Sequence, residues 1–116
     1  MLWVNCDGSC ISGVPENFES LLIQMVKDLE DTRYKYFGYS YRRTMRNILT
    51  GNISAVIAPN FMSKEYFGIV SYLTLDNCTK IMETLVKKGK IAYVDTEHGR
   101  LYCTKDYHDH ICRKGS

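Results

Sequence analysis

The sequence has no run of apolar residues close to the roughly 18 that a helix needs to cross a bilayer. It also lacks internal repeats, low-complexity segments and the basic and apolar stretches of a secretory signal. We therefore expect a soluble, intracellular protein with no membrane partner, whose five cysteines are mostly free thiols or metal ligands. Its 116 residues suffice for one domain but not for a motor or a two-lobed enzyme.

Motifs of common catalytic sites are absent as well. The sequence contains no G-x-x-x-x-G-K-[ST] phosphate loop, no G-x-G-x-x-G and no H-E-x-x-H. Cys78 or Cys103 paired with a histidine would lack the third group that orients a catalytic pair. The chain alone is predicted to have no catalytic residues and to need no cofactor, so binding is the expected function.

What the sequence does have is a helix that leads directly into a hairpin, at residues 74–104. The apolar positions of this helix recur every three or four residues and form one face: Leu75, Cys78, Ile81, Met82, Leu85 and Val86. Thr74 is suited to begin the helix and Gly89 to end it. Apolar strands at residues 91–94 and 101–104 flank turn-forming residues, which predicts a two-stranded wing with His98 near its tip.

Upstream, periodicity predicts two amphipathic helices and a short third one, at residues 15–30, 41–50 and 53–58. Ser40 and Gly51 delimit the second helix, and a connection then leads to the long helix. The predicted fold is mainly α with a small β-hairpin, a winged helix in which a helix-turn-helix precedes a two-stranded wing. Only the two ends of the chain are expected to be loosely structured.

The net charge of +2 says little about partners, but the distribution of charge says more. Residues 33–64 contain no Asp or Glu, and their basic residues are Arg33, Lys35, Arg42, Arg43, Arg46 and Lys64. Such a run is either a solvated basic face or a stripe that faces phosphates, and the two are alike in sequence.

Several short motifs occur in an order typical of one family. Tyr36-Phe37-Gly38 precedes the second helix, Ile48-Leu49-Thr50-Gly51-Asn52 ends it, and Tyr66-Phe67-Gly68 comes six residues before Thr74. With this spacing, residues 6–104 resemble the RQC domain, the winged helix that follows the motor and zinc modules in RecQ-family DNA helicases such as the Bloom and Werner proteins.

The resemblance implies a nuclear, DNA-binding part of an ATP-dependent helicase, which holds duplex DNA at its junction with a single strand. ATP, Mg and Zn are implied only for a full-length helicase. The start and polar face of the long helix are expected to bind DNA through Ser71, Tyr72, Thr74, Asn77, Lys80, Lys87 and Lys88. A second basic stripe comprises Arg42, Arg43 and Arg46.

The wing is expected to act as the wedge that separates the strands, with His98, Arg100 and Tyr102 as the residues near its tip. His98 could instead be only a turn residue. Lys87 and Lys88 could equally serve only to complement the helix dipole.

Cys6 and Cys10 lie in a segment similar to the end of the family's zinc module, although Ser9 stands where the family has a further cysteine. Two thiolates cannot build a closed four-ligand site, so no metal is predicted. Completion by His108, His110 and Cys112 would require the termini to meet. The chain is thus divided into a zinc-module-like or disordered start (1–12), an RQC-like domain (13–106) and a flexible tail (107–116), and it is either a helicase fragment or a stand-alone relative.

Two other functions remain open. A winged helix can serve as a protein–protein interaction module, in which case the wing or the aromatic cluster at residues 34–39 would form an apolar patch. It can also be a small transcriptional regulator that reads bases with the long helix, through Asn77, Lys80 and Glu83. The fold alone does not decide among these.

Overall fold

The computed structural model describes residues 2–32, 42–52, 59–96 and 99–114. These residues form four α-helices, two antiparallel hairpins and a short 3₁₀-helix, so the fold is a small mixed α and β globule. The elements are β1 (Trp3–Val4), β2 (Cys10–Ile11), α1 (Phe18–Thr32), α2 (Arg42–Thr50), the 3₁₀-helix (Pro59–Ser63), α3 (Leu75–Lys87), β3 (Ala92–Thr96), β4 (Gly99–Cys103) and α4 (Lys105–Lys114). Two hairpins are present where one was predicted.

The core lies where the apolar faces of α1, α2 and α3 meet. Its largest fully buried side chains are Tyr66, Tyr102, Phe18, Phe61, Leu22, Met25, Leu29, Met45, Ile48, Leu49, Ile81 and Met82. The apolar face predicted for α3 is confirmed, since Cys78, Ile81, Met82 and Leu85 are buried. Helix α1 begins at Phe18 rather than at residue 15, because the Phe18 N–H donates to the Pro15 carbonyl in a turn (3.1 Å).

Both predicted ends of α3 are confirmed. The Thr74 hydroxyl accepts a hydrogen bond from the Asn77 N–H (3.1 Å), which satisfies one of the free amides of the first turn. Gly89 has a φ of +74° and the Lys90 N–H returns to the Leu85 carbonyl (3.0 Å), the geometry of a Schellman motif.

The hairpin predicted to be a wing, strands β3 and β4, extends further toward its tip than predicted, and we keep the name wing for it. Asp95 pairs with Arg100 and Thr96 with Gly99, so these residues are in strands and not in a six-residue turn. Arg100 Nε donates to Asp95 Oδ1 (3.0 Å), a cross-strand charge pair that continues the ladder. The tip itself, with His98, lies outside the described residues.

At both termini, where the sequence led us to expect loose structure, the described residues form β1, β2 and α4. Trp3 is 4% exposed and packs edge-on against Phe18 of α1, with ring centroids 5.2 Å apart. At the other end Thr104 caps α4, because its hydroxyl accepts from the Tyr107 N–H (3.3 Å). Regular secondary structure therefore occurs near both ends of the chain, and both ends are bonded to or packed on the rest of the fold.

Three further predictions concern residues outside the described ranges. They are the N-cap role of Ser40, the short helix at residues 53–58 and the aromatic cluster at residues 34–39. Of the connection between α2 and α3, the structure describes residues 51–52 and 59–74, which include the 3₁₀-helix.

Candidate nucleic-acid interface

The end of α2 forms one side of the candidate interface. Gly51 has a φ of +74°, a conformation that glycine adopts without strain. Its N–H donates to the Ile48 carbonyl (3.2 Å), and the Asn52 N–H donates to the Asn47 carbonyl (2.8 Å). These two bonds form a second Schellman motif, which turns the chain away from the axis of α2 immediately after Thr50.

The connection to α3 then crosses this turn at backbone distance. The Gly68 N–H donates to the Ile48 carbonyl (2.9 Å) and the Val70 N–H to the Leu49 carbonyl (3.0 Å). A Cβ atom on Gly51 would lie only 3.2 Å from the Gly68 Cα, and Gly68 has a φ of +71°, so the crossing favours glycine at both positions. As a result, the residues that lead into α3 lie beside the last turn of α2.

A polar groove of about 410 Å³ opens at this crossing. It is lined by Arg46, Thr50, Gly51, Asn52, Ser71, Tyr72 and Leu73, of which none carries a carboxylate. Tyr72 is 75% exposed at its edge, whereas Val70 and Leu73 on either side are buried. The lining residues thus carry a guanidinium, an amide, the hydroxyls of a threonine and a serine, and a phenol ring, groups that bind phosphates and bases.

The three arginines of the predicted basic stripe all lie on α2 and differ in exposure. Arg42 and Arg43 are exposed and Arg46 is half-buried. Arg42 Nη1 reaches Thr79 Oγ1 on α3 at 3.4 Å, so the basic stripe extends across the contact between α2 and α3. Burial raises the pKa of the nearby Cys78 thiol to about 12, an effect that the positive charges of Arg46 and Arg42 oppose. Cys78 is therefore a protonated core residue and no nucleophile.

The first turn of α3 is less open to phosphate than predicted. The Thr74 hydroxyl is already engaged in the N-cap bond, and Asp76 places a largely exposed carboxylate in this turn. Lys80 Nζ lies 3.7 Å from Asp76 and 3.4 Å from Asp7 of the N-terminal hairpin. The charge of Lys80 is therefore partly neutralised within the protein. Asn77 is half-buried.

The lysines at the other end of α3 lie apart from the groove. Lys87 is thirteen positions after Thr74, about 20 Å along a helix axis. Lys88 Nζ is 3.7 Å from Glu19 and 4.8 Å from the Trp3 ring centroid, so it holds the N-terminal hairpin to the helix. Lys87 is exposed. The structure does not bring this pair together with the arginines.

The N-terminal hairpin also covers part of the polar face predicted for α3. Thr84 is 3% exposed, because its hydroxyl accepts from the Cys6 N–H (3.0 Å) and donates to the Lys80 carbonyl (2.7 Å). Asn5 Oδ1 lies 3.3 Å from the same hydroxyl. These contacts join residues 78 or more positions apart, so the sequence pattern of α3 did not reveal them.

Two of the three predicted wedge residues are held against α3. Tyr102 is 2% exposed, and its hydroxyl donates to Glu83 Oε1 (3.0 Å). Neither face of its ring is accessible for stacking with a base. Arg100 Nη1 donates to the same oxygen (2.6 Å), and its guanidinium lies 3.8 Å from the Tyr93 ring centroid. Glu83 is correspondingly unavailable for base readout.

No metal site is formed by the described residues, in which no group of three or more His, Cys, Asp or Glu side chains could hold an ion. Cys6 and Cys10 are exposed free thiols on the N-terminal hairpin. The side chains of His110 and Cys112 lie outside the described set. Within that set, no helix is both long and apolar enough to cross a membrane.

The structure brings Arg46 together with Ser71 and Tyr72, which the sequence placed in two separate stripes. It adds Thr50 and Asn52, which sequence reasoning missed although Gly51 between them signalled the turn. Comparison with known protein families, with characterised proteins and with solved structures finds no match for this chain.

Proposed function

We propose that this protein is a structure-selective DNA-binding domain of the winged-helix class, similar to the RQC domain, which holds duplex DNA where it meets a single strand. The observation that carries the proposal is the groove that Arg46 and Tyr72 both line and whose lining contains no carboxylate. The order of α1, α2, α3 and the β3–β4 hairpin supports a winged helix, because in that fold a helix lies directly before the wing.

The DNA backbone is held mainly by α2 and the approach to α3. Arg42 and Arg43 are exposed and can reach phosphates, and Arg46 and Ser71 add a cation and a hydroxyl at the groove. Binding through such contacts releases counterions, so affinity falls steeply as salt rises. Lys80 and Lys88 contribute less, because acidic side chains of the protein already neutralise part of their charge.

Recognition depends on the shape of the DNA and not on its base sequence. Of the residues that could read bases from α3, Glu83 is bonded to Arg100 and Tyr102, and Lys80 is paired with Asp7. Few side chains of α3 remain for bidentate contacts with base edges in the major groove of DNA. This favours a junction-binding domain over a transcriptional regulator.

In this proposal the chain is a non-catalytic part of an ATP-dependent DNA helicase that acts in the nucleus. It positions DNA for a motor domain that supplies ATP hydrolysis. The chain's own contribution is binding energy and geometry, which require neither a nucleotide nor a metal ion.

The test is a fluorescence-anisotropy titration with blunt duplex and with duplex that carries a single-stranded tail, each at several salt concentrations. Wild type is compared with Arg43→Ala and Arg46→Ala. Each phosphate contact that is lost should reduce the slope of log affinity against log salt by about 0.9. Lys87→Ala is the matched control, since this exposed lysine lies at the far end of α3 and should leave the slope unchanged.

Salt-sensitive binding that the arginine variants weaken and Lys87→Ala does not would support the proposal. An absence of binding to either DNA at low salt would overturn it. A winged helix that contacts another protein would then be the better account, and the exposed apolar residues Leu2 and Val4 of the N-terminal hairpin would be the first place to look.

A further inference from the structure

Tyr72 is displayed on a backbone that is fixed on both sides. Val70 before it donates to the Leu49 carbonyl (3.0 Å), and Thr74 after it caps α3. Between these two points Leu73 turns into the core while the Tyr72 ring stays 75% exposed. A ring on a fixed backbone loses little conformational freedom when a flat partner stacks on it, so it is suited to be a stacking platform.

The surroundings of Tyr72 distinguish it from the other exposed apolar residues. Single exposed apolar side chains are common on protein surfaces and carry no function by themselves. Tyr72, however, borders a groove whose lining includes the Arg46 guanidinium, the Asn52 amide and the Ser71 hydroxyl. Together these groups match the face of a base, its polar edge and the adjoining phosphate.

We propose that Tyr72 is the stacking platform for one unpaired base of the DNA, with Arg46 on the adjoining phosphate. This inference rests on the proposed DNA binding and adds where the single strand is held. Stacking on an aromatic side chain replaces the neighbour that a base loses when it leaves the duplex. The strand-separating contact therefore lies at the junction of α2 and α3 and not on the strands of the wing.

The geometry of the wing is consistent with this assignment. Tyr102 is buried, and Arg100 is bonded to Glu83 and Asp95 while it covers the Tyr93 ring. Presenting either side chain to a base would break bonds within the protein. Tyr72 requires no such rearrangement, because its ring is already exposed.

The experiment uses a duplex with a single-stranded tail whose first unpaired base is 2-aminopurine, a fluorescent base that stacking quenches. A blunt duplex of the same length is the comparison. Tyr72→Ala should lose about tenfold in affinity for the tailed duplex, equivalent to 1.4 kcal/mol, and less than about twofold for the blunt duplex. Quenching should disappear with Tyr72→Ala and persist with Tyr72→Phe. Met62→Ala, which also removes an exposed apolar side chain, should change neither.

The outcomes separate this inference from the proposed function. If wild type binds both DNAs but Tyr72→Ala weakens both equally, or neither, the stacking role is refuted and DNA binding stands. If quenching persists in Tyr72→Ala, the base stacks elsewhere and the inference again fails. If wild type binds neither DNA at low salt, both proposals fall.

Discussion

The two ends of α3 differ in whether the basic side chains near them have acidic partners. At the N-terminal end, the groove beside α2 holds Arg46 and an exposed Tyr72 with no carboxylate in its lining. Further along the helix, Lys80 faces Asp7 and Lys88 faces Glu19, each within 3.7 Å. The number of basic residues on a helix therefore does not identify a binding surface. The tertiary structure decides which of these charges remain available to a partner.

The acidic partners come from other elements than α3: Glu19 lies in the first turn of α1 and Asp7 in the N-terminal hairpin. The turn of the N-terminal hairpin provides Asp7, and the wing brings Arg100 onto Glu83. Both hairpins thus contact the middle or the end of α3 and leave its beginning open. If DNA binds at the groove beside the start of α3, changes at the crossing of residues 51 and 68 should affect DNA binding. Changes at the two hairpins should affect mainly stability.

Gly51→Ala should produce the largest change. It places a side chain at a φ of +74° and 3.2 Å from the Gly68 Cα, so the backbone is strained and the crossing segment must move by a few tenths of an ångström. We expect a loss of about 2 kcal/mol in the free energy of unfolding, measured by urea denaturation, together with weaker DNA binding.

Gly8→Ala is the matched control, because Gly8 also has a positive φ (+89°) but no atom within 4 Å of the added Cβ. It should cost about 1 kcal/mol from backbone strain alone and leave DNA affinity unchanged. Equal effects of the two substitutions would show that the crossing has no special part in the site.

Glu83→Gln should have a smaller effect, confined to stability. It removes the charge that holds Arg100 and Tyr102 on α3, but the side chains of Glu83 and Arg100 are 26% and 36% exposed, so solvent screens the pair. We expect about 1 kcal/mol lower stability by calorimetry, with DNA affinity within about twofold of wild type. Asp95→Asn, at a 68% exposed side chain, should cost at most about 0.5 kcal/mol. A large loss of DNA affinity in Glu83→Gln would place the wing in the interface.

The smallest expected effect is the acid sensitivity contributed by Asp7. Hydrogen bonds from the Ser9 hydroxyl (2.6 Å) and N–H (3.0 Å) lower the pKa of Asp7 from 3.8 to about 2, with a further contribution from Lys80. Because the folded pKa is the lower one, the stabilising contribution is complete above pH 3.8 and is lost as the pH falls through about 2.

Comparing the unfolding free energies of wild type and Asp7→Asn between pH 5 and pH 2 isolates this contribution. The advantage of wild type in the free energy of unfolding should shrink as the pH falls. A difference that stays constant across the range would mean that the carboxylate does not titrate with the fold.

Local signals in the sequence were sufficient to predict the ends and the buried face of α3. Thr74 and Gly89 mark its two ends, and the spacing of its apolar residues identifies its buried face, because caps and periodicity depend on neighbours within a few positions. The N-terminal hairpin was missed although Asp7-Gly8 is a turn signal, since its strands have only two residues each. What holds it is Trp3 packed on Phe18 and the bond from Cys6 to Thr84, both long-range.

The sequence predicted several residues of the candidate site, but it did not predict that they lie close together. Arg46 and Tyr72 were both expected to contact DNA, yet their meeting depends on the backbone bonds of Gly68 and Val70 to the end of α2. No periodicity encodes such a crossing. For the same reason, the pairing of Lys80 and Lys88 with acidic residues of distant segments could not be read from their positions on α3.

Trp3 gives the chain an optical label that needs no engineering. It is the single tryptophan in the sequence, and its indole is buried, with Nε1 bonded to Asn5 (2.7 Å) and the Lys88 ammonium over the ring. Detachment of the N-terminal hairpin would expose the indole to water and shift its emission to longer wavelength. Trp3 lies at the opposite end of α3 from Tyr72, so its emission can follow folding while an extrinsic fluorophore reports DNA binding in the same cuvette.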